Sequence, residues 1–130
     1  MTITPLYGGL LAIWFLILSI RVVLGRAGPG KPSLGDGGSP EMQRRIRGHA
    51  NFAEYVPLIL VLIALLELSG APHGQLHLLG SALLVGRLLH GYAFSFTKNH
   101  VFGRSAGIVL TFMALLGAAG LCVYAGLRSL

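Results

Sequence analysis

The sequence predicts an all-α fold: an integral membrane bundle of four helices, connected up and down with a left-handed twist, that uses residues 1–130 as one domain. Three observations carry this expectation. Of the 130 residues, 54% are hydrophobic and only 11% are charged, a balance far from that of a soluble domain. The apolar residues fall into four long runs, and about 20 apolar residues in a helix are enough to cross the hydrocarbon core. Ten Lys and Arg stand against four Asp and Glu, a formal charge of +6. Arg21, Arg26, Lys31, Arg44, Arg45 and Arg47 crowd around the segment between the first two runs. That placement is the one expected of a cytoplasmic loop, and it argues against nucleic acid as the partner of the basic charge.

The first helix is expected over residues 5–24, almost continuously apolar around Trp14 and Phe15. It lacks a basic flank before it and a small-residue cleavage site after it, so it reads as a retained span rather than a signal peptide. Arg21 near its end has two uses: to snorkel to the interface, or to point into the bundle toward an anionic ligand. Gly25 to Pro40 concentrates Gly, Pro and Ser and forms the longest loop, without the spacing of a phosphate cradle.

A second helix is expected over residues 40–68. Ser39 supplies a capping hydroxyl, Pro40 suits the first helical position and Glu41 places an acid in the first turn. This run is longer than the hydrocarbon is thick, so its basic first turns should project from it. The tetrapeptide Ser69 to Pro72 ends it, and so short a link makes a third helix, residues 73–96, an antiparallel neighbour. A break around Thr97 to Arg104 precedes the fourth, residues 103–128, in which Gly103 and Gly107 form a small-xxx-small pair suited to close helix approach. Four spans return both termini to one face. Lys98 and Arg104 then put loop three in the cytoplasm with loop one, and the termini on the opposite side. The lone Cys122 has no intrachain disulfide partner.

Chemistry concentrates in the stretch RRIRGHANFAEYVP, Arg44 to Pro57. Arg44, Arg47, Asn51 and Glu54 are spaced three, four and three apart and share one stripe of the second helix, with Tyr55 on its flank. Arg87, His90 and Phe94 repeat the spacing on the third. Polar stripes inside apolar spans are costly, about 2.5–3.5 kcal/mol per charge at the bilayer centre on the lenient scale, and so face partner charges or a cavity. Two readings stay open for Arg87 and Glu54: a ligand site, or a structural ion pair between helices. For Glu67, near the end of the second helix, the structural role leads. Pro57 removes a helical hydrogen bond at the Ala53 carbonyl, which either opens a pocket or serves packing alone. Arg104 and Ser105 open the fourth helix, where free amides and the helix dipole favour an anion such as a thiolate. His73 and His77 lack a third ligand and read as interfacial rather than metal-binding, and His49 and His100 are expected near the headgroups. No metal is expected, and no hydrolase triad or carboxylate pair is present.

The motif RxxRGHxNxxEYxP, here Arg44, Arg47, Gly48, His49, Asn51, Glu54, Tyr55 and Pro57, resembles that of the MAPEG family, the membrane-associated proteins in eicosanoid and glutathione metabolism. GRLLHGY with a following RS is similar to the helix-three and helix-four positions of members like microsomal prostaglandin E synthase and the microsomal glutathione transferases. It supplies Arg87, His90, Arg104 and Ser105. The resemblance spans essentially the whole chain. It implies a homotrimer with glutathione bent into each subunit interface on the cytoplasmic side. Arg44, Arg47, Asn51, Glu54 and Tyr55 would bind it, with Arg87, His90, Arg104 and Arg21 completing the site, some from the neighbour, and Arg104 stabilising the thiolate with help from Ser105.

Three departures from the family pattern stand out. Ala50 occupies a position that is arginine in several members, Phe94 replaces a tyrosine while Tyr92 lies on another face, and the loop before Arg104 is slightly longer. These changes point away from a dedicated eicosanoid isomerase. The expected function is that of a detoxifying membrane glutathione transferase, with glutathione as co-substrate. It would add the thiolate to lipophilic electrophiles that enter from the membrane lipid, with peroxidase activity as a further outcome. The alternatives are a small transporter or channel, and a glutathione-binding membrane protein without catalysis.

Overall fold

The computed structural model describes residues 1–98 and 100–129; Asn99, inside the expected third break, and Leu130 lie outside them. Four helices make up the chain: α1 (Ile3–Arg26), α2 (Pro40–Leu68), α3 (His73–Ser95) and α4 (Val101–Arg128). No strand occurs among the described residues. All four helices are long and apolar enough to cross a membrane, so the chain is a multi-pass integral membrane protein.

Each helix end is set by local chemistry. α2 starts where Ser39 Oγ accepts from the Met42 amide at 3.3 Å, just ahead of Pro40. It ends in a Schellman arrangement: the Ala71 amide donates to the Leu66 carbonyl (3.0 Å) and the Gly70 amide to the Glu67 carbonyl (3.1 Å). Gly70 at φ +78° takes the left-handed turn that this closure requires. α1 has no cap of its own. The Glu67 carboxylate, at the far end of α2, instead accepts from the backbone amides of Thr2, Ile3 and Thr4, the last two at 2.8 Å. A negative group there satisfies open donors and complements the helix dipole, which gives Glu67 its structural role.

α4 begins two residues before its expected start. His100 Nδ1 accepts from the Gly103 amide at 2.9 Å, and the Arg104 amide donates to the His100 carbonyl at 3.2 Å. The expectation that Arg104 and Ser105 sit among open backbone amides is therefore corrected. They lie one turn inside the helix, and what they offer a ligand is their side chains.

α2 and α3 form the centre, with α1 against both on one side and α4 against both on the other; α1 and α4 do not touch among the described residues. Leu11, Leu18, Ile59, Ile63, Leu76 and Leu83 are almost wholly buried between them. Small residues set the spacing. A Cβ on Gly107 would stand 2.7 Å from the Gly86 carbonyl oxygen and 2.7 Å from the His90 amide nitrogen, so α3 and α4 meet backbone to backbone. Gly103, the other half of the expected pair, faces the ring of its own cap residue His100 and the methyl of Ala93. On the α1 side, Gly91 makes room for Trp14, whose indole N–H donates to the Arg87 carbonyl at 3.0 Å. The outward faces carry exposed Leu, Ile, Val and Phe, as a surface against lipid tails must.

Candidate functional site: a cationic cleft between α2, α3 and α4

Because α1 and α4 lie on opposite sides of the central pair, the polar stripe of α2 can share a cavity with α4 but not with α1 and α4 together. Arg47, Asn51 and Tyr55 from α2, His90 and Phe94 from α3, and Val101, Arg104, Ser105, Ile108 and Phe112 from α4 line a cleft of about 500 Å³. The four-residue steps from Arg47 to Tyr55 and from His90 to Phe94 aim these side chains the same way, one turn above another.

The floor of the cleft is buried and polar. Arg87 is 1% exposed, His90 6% and Asn51 8%. Arg87 Nη1 donates to Asn51 Oδ1 at 2.8 Å, which fixes the Asn51 amide and leaves its NH₂ group for a ligand. The Nε and Nη2 atoms of Arg87 have no partner among the described residues. A fully buried guanidinium with one neutral partner is held at a cost to the fold, and groups kept at such a cost mark functional sites inside membranes.

Arg47, in the lining, pairs at 3.5 Å with Glu54, which lies outside it; their side chains are 61% and 48% exposed. The structural pair between Arg87 and Glu54 is not formed. Glu54 lies on the outer flank of α2 while Arg87 is enclosed by the bundle, so Glu54 pairs with Arg47 and Arg87 with Asn51. Arg104 lays its guanidinium over the Phe94 ring, 4.6 Å from the centroid. The Tyr55 ring leans on Phe112 at 5.5 Å.

Four expected site residues do not line the cleft: Arg87 lies buried beneath it, Glu54 is on the exposed flank of α2, and Arg21 and Arg44 are held elsewhere. Arg21, on α1, donates to the Ser95 carbonyl and rests 4.2 Å over the Phe96 ring. Arg44 is half-buried outside the lining. Pro57 and Ala53 both lie on the exposed side of α2, so the proline faces away from the cavity. His49 is not free at the headgroups: it stacks on Phe15 at 4.6 Å and shares a hydrogen bond with Ser19 at 3.1 Å, fastening α2 to α1. His77 shares a hydrogen bond with the Tyr7 hydroxyl at 3.1 Å rather than facing His73. Among the described residues no three His, Cys, Asp or Glu side chains gather as metal ligands.

Sequence reasoning passed over the apolar wall. Val101, Ile108 and Phe112 recur at steps of seven and four, the same stripe of α4 that carries Arg104 and Ser105, and that periodicity was the available signal. Arg47 and Arg104 line the cleft with Arg87 beneath it, and Glu54, outside the lining, is paired with Arg47. The cleft therefore suits an anionic ligand with several acceptors and an amino group, presented beside apolar surface.

A second cavity, of about 690 Å³, opens at the other end of the α2–α4 seam, among Leu65, Leu66, Gln75, Leu121, Cys122 and Arg128. Between the two cavities the buried positions are apolar, Ile59, Ile63, Leu79, Leu83, Ala114 and Ala118, apart from Thr111, whose hydroxyl is spent on the Gly107 carbonyl. No continuous polar path runs through the bundle among the described residues, which counts against the transporter or channel alternative.

Comparison with known proteins gives one family. The model described as MAPEG family matches residues 4–124. The inner membrane protein YecN of Escherichia coli strain K12 is 37% identical over 115 residues, covering 88% of this chain and 85% of that protein. YecN of Escherichia coli O6:H1 gives the same figures. No solved structure matches the chain significantly.

Proposed function

The chain belongs to the MAPEG family, and from that premise we propose that it is a membrane glutathione transferase. The single observation that carries the proposal is the cleft itself: Arg47, Asn51, His90 and Arg104 converge on one cavity with apolar Ile108 and Phe112 beside them. Glutathione has two carboxylates for arginines and an amino group for Glu54 to accept, and its thiol falls to Arg104 and Ser105. A guanidinium beside the thiol favours the thiolate, lowering its pKa from about 8.5 toward neutrality.

In the proposed reaction the thiolate sulfur forms a bond to an electrophilic carbon of a lipophilic molecule arriving from the bilayer. Either a leaving group departs with the bonding pair, or the resulting carbanion takes a proton from water. The proton lost by the thiol goes to solvent. Positioning and the lowered thiol pKa are the effects invoked, and no metal takes part. For the peroxidase outcome the thiolate attacks the terminal oxygen of a hydroperoxide, and the O–O bond breaks with the alkoxide leaving and taking a proton from water. The glutathione sulfenic acid then condenses with a second glutathione to give the disulfide and water.

The cleft is open to the outside of the subunit. That openness supports a homotrimer in which a neighbour closes each site, the arrangement in which Arg21 and Arg44 would find their use. The cluster of basic residues around loop one supports a cytoplasmic orientation for loops one and three, and the similarity to an inner membrane protein supports that membrane.

Purified protein in detergent, titrated with glutathione and read by ultraviolet difference absorbance, tests the reading. Wild type is expected to show a thiolate band and to conjugate members of an electrophile panel. Arg104→Ala is expected to lose the band and about 10²–10³-fold in rate while keeping most of its affinity. Absence of glutathione binding by wild type would refute the proposal.

A further inference from the structure

The residue assigned to the thiolate has no polar partner holding it among the described residues. Among the described residues the ion pairs are Arg45 with Glu41 and Arg47 with Glu54, and no side-chain hydrogen bond fixes Arg104. Its contact is the face of Phe94, 4.6 Å from guanidinium carbon to ring centroid. That ring is itself held from two sides. His90 packs against it at 4.7 Å. On α2, Gly48 lets it approach so closely that a Cβ at position 48 would stand 2.9 Å from the Phe94 Cβ. A short chain of contacts thus runs from α2 through Phe94 on α3 to Arg104 on α4.

We propose that Phe94 is a positioning residue, the platform that holds the Arg104 guanidinium over the cleft before the thiol arrives. A long arginine side chain left free would spread over many rotamers, and the electron-rich ring face selects those that lie across it. Stacking occupies the flat face of the guanidinium and leaves its N–H edges free for a thiolate. The ring also displaces water from one side of the cation, so its attraction for an anion is less screened. The phenylalanine that replaces the family's tyrosine is thus more than a missing hydroxyl. With no phenol at this position to donate to the sulfur, the thiol depends on Arg104, and Arg104 depends on the ring. The inference rests on the glutathione reading and sharpens which contact sets the thiol's ionisation.

The test measures the pKa of enzyme-bound glutathione by thiolate absorbance across a pH series, in wild type, Phe94→Leu and Phe94→Tyr. The charged and polar groups that line the cleft with Arg104 are Arg47, Asn51 and Tyr55 from α2, His90 from α3 and Ser105 beside it on α4. All are retained in the three proteins, so differences report the ring. Phe94→Leu is expected to reduce the thiolate fraction at neutral pH about three- to tenfold, the span of an exposed to partly desolvated cation–π contact. Glutathione affinity should change less than that, and Phe94→Tyr should stay at or below the wild-type pKa. An unchanged bound pKa in Phe94→Leu, with a thiolate band in wild type, overturns the inference and leaves the glutathione reading intact. No thiolate band in wild type overturns both. If Phe94→Leu fails to fold, as judged by helical circular dichroism in detergent, Phe94→Met removes the ring with a flexible side chain that fills the gap, and the same two outcomes decide.

Discussion

The seam between α2 and α4 opens at both ends, and the two openings are built from different chemistry. One holds about 500 Å³ over a floor of buried Asn51, Arg87 and His90, with Arg47 and Arg104 at its mouth. The other is larger, about 690 Å³, and mixes Leu65, Leu66, Leu121 and Cys122 with uncharged polar Ser69, Gln75 and Ser129, with Arg128 as its charged residue. Size alone would select the wrong end. What separates them is where polar groups are buried without full compensation: the Arg87 guanidinium keeps two nitrogens unpartnered under the cleft. At the other end the Glu67 carboxylate is spent on the first amides of α1. The same residue type inside a membrane can thus serve a ligand or a helix end, and its hydrogen-bond partners tell which.

Three substitutions probe that contrast, beginning with the largest effect. Gly107→Val should force α3 from α4 beneath the cleft, because its Cβ would meet the Gly86 carbonyl and the His90 amide, neither of which can yield alone. A loss of about 3 kcal/mol or more is expected, read as a lowered unfolding temperature in detergent together with loss of glutathione binding. Arg87→Met should separate stability from function. Replacing an under-partnered buried charge with an apolar side chain of similar length is expected to leave stability unchanged or raise it by about 1 kcal/mol. Glutathione affinity should fall at least about tenfold, since the Asn51 anchor is gone. A destabilised Arg87→Met that still binds glutathione normally would mean that the guanidinium serves the fold and not the site. Glu67→Gln should act on the other end alone. It removes the charge that α1's amides share, so thermal unfolding is expected a few degrees lower, while thiolate absorbance at the cleft is unaltered.

Much of the architecture was legible because it is local. Ser39, Pro40 and Glu41 mark the start of α2, and the stretch from Ser69 to Pro72 marks its end, because capping and turn chemistry act within a few residues. The start of α4 was misread for the same kind of reason. A histidine is an uncommon cap, and the bond from Gly103 to His100 carries no standard signature. In the site, the α2 stripe Arg44, Arg47, Asn51 and Glu54 was half right: Arg47 and Asn51 line the cleft and Tyr55 from its flank joins them, while Arg44 and Glu54 lie outside. The α3 spacing brought His90 and Phe94 into view. Pairing was not legible, since nothing in the spacing of α2 distinguishes an Arg87 that meets Glu54 from one that meets Asn51.

The sequence by itself determined that the chain forms four apolar spans and which residues on the second and third are too polar for lipid, because hydrophobicity and helical period are properties of single segments. Tertiary structure decided the rest: that α1 and α4 stand apart, so Arg21 is left outside while Arg104 is brought in, and that Phe94 rather than a carboxylate supports Arg104. Those outcomes depend on which helix lies against which, and they turn on close approaches at Gly48, Gly86 and Gly107, whose consequence appears only when two helices meet.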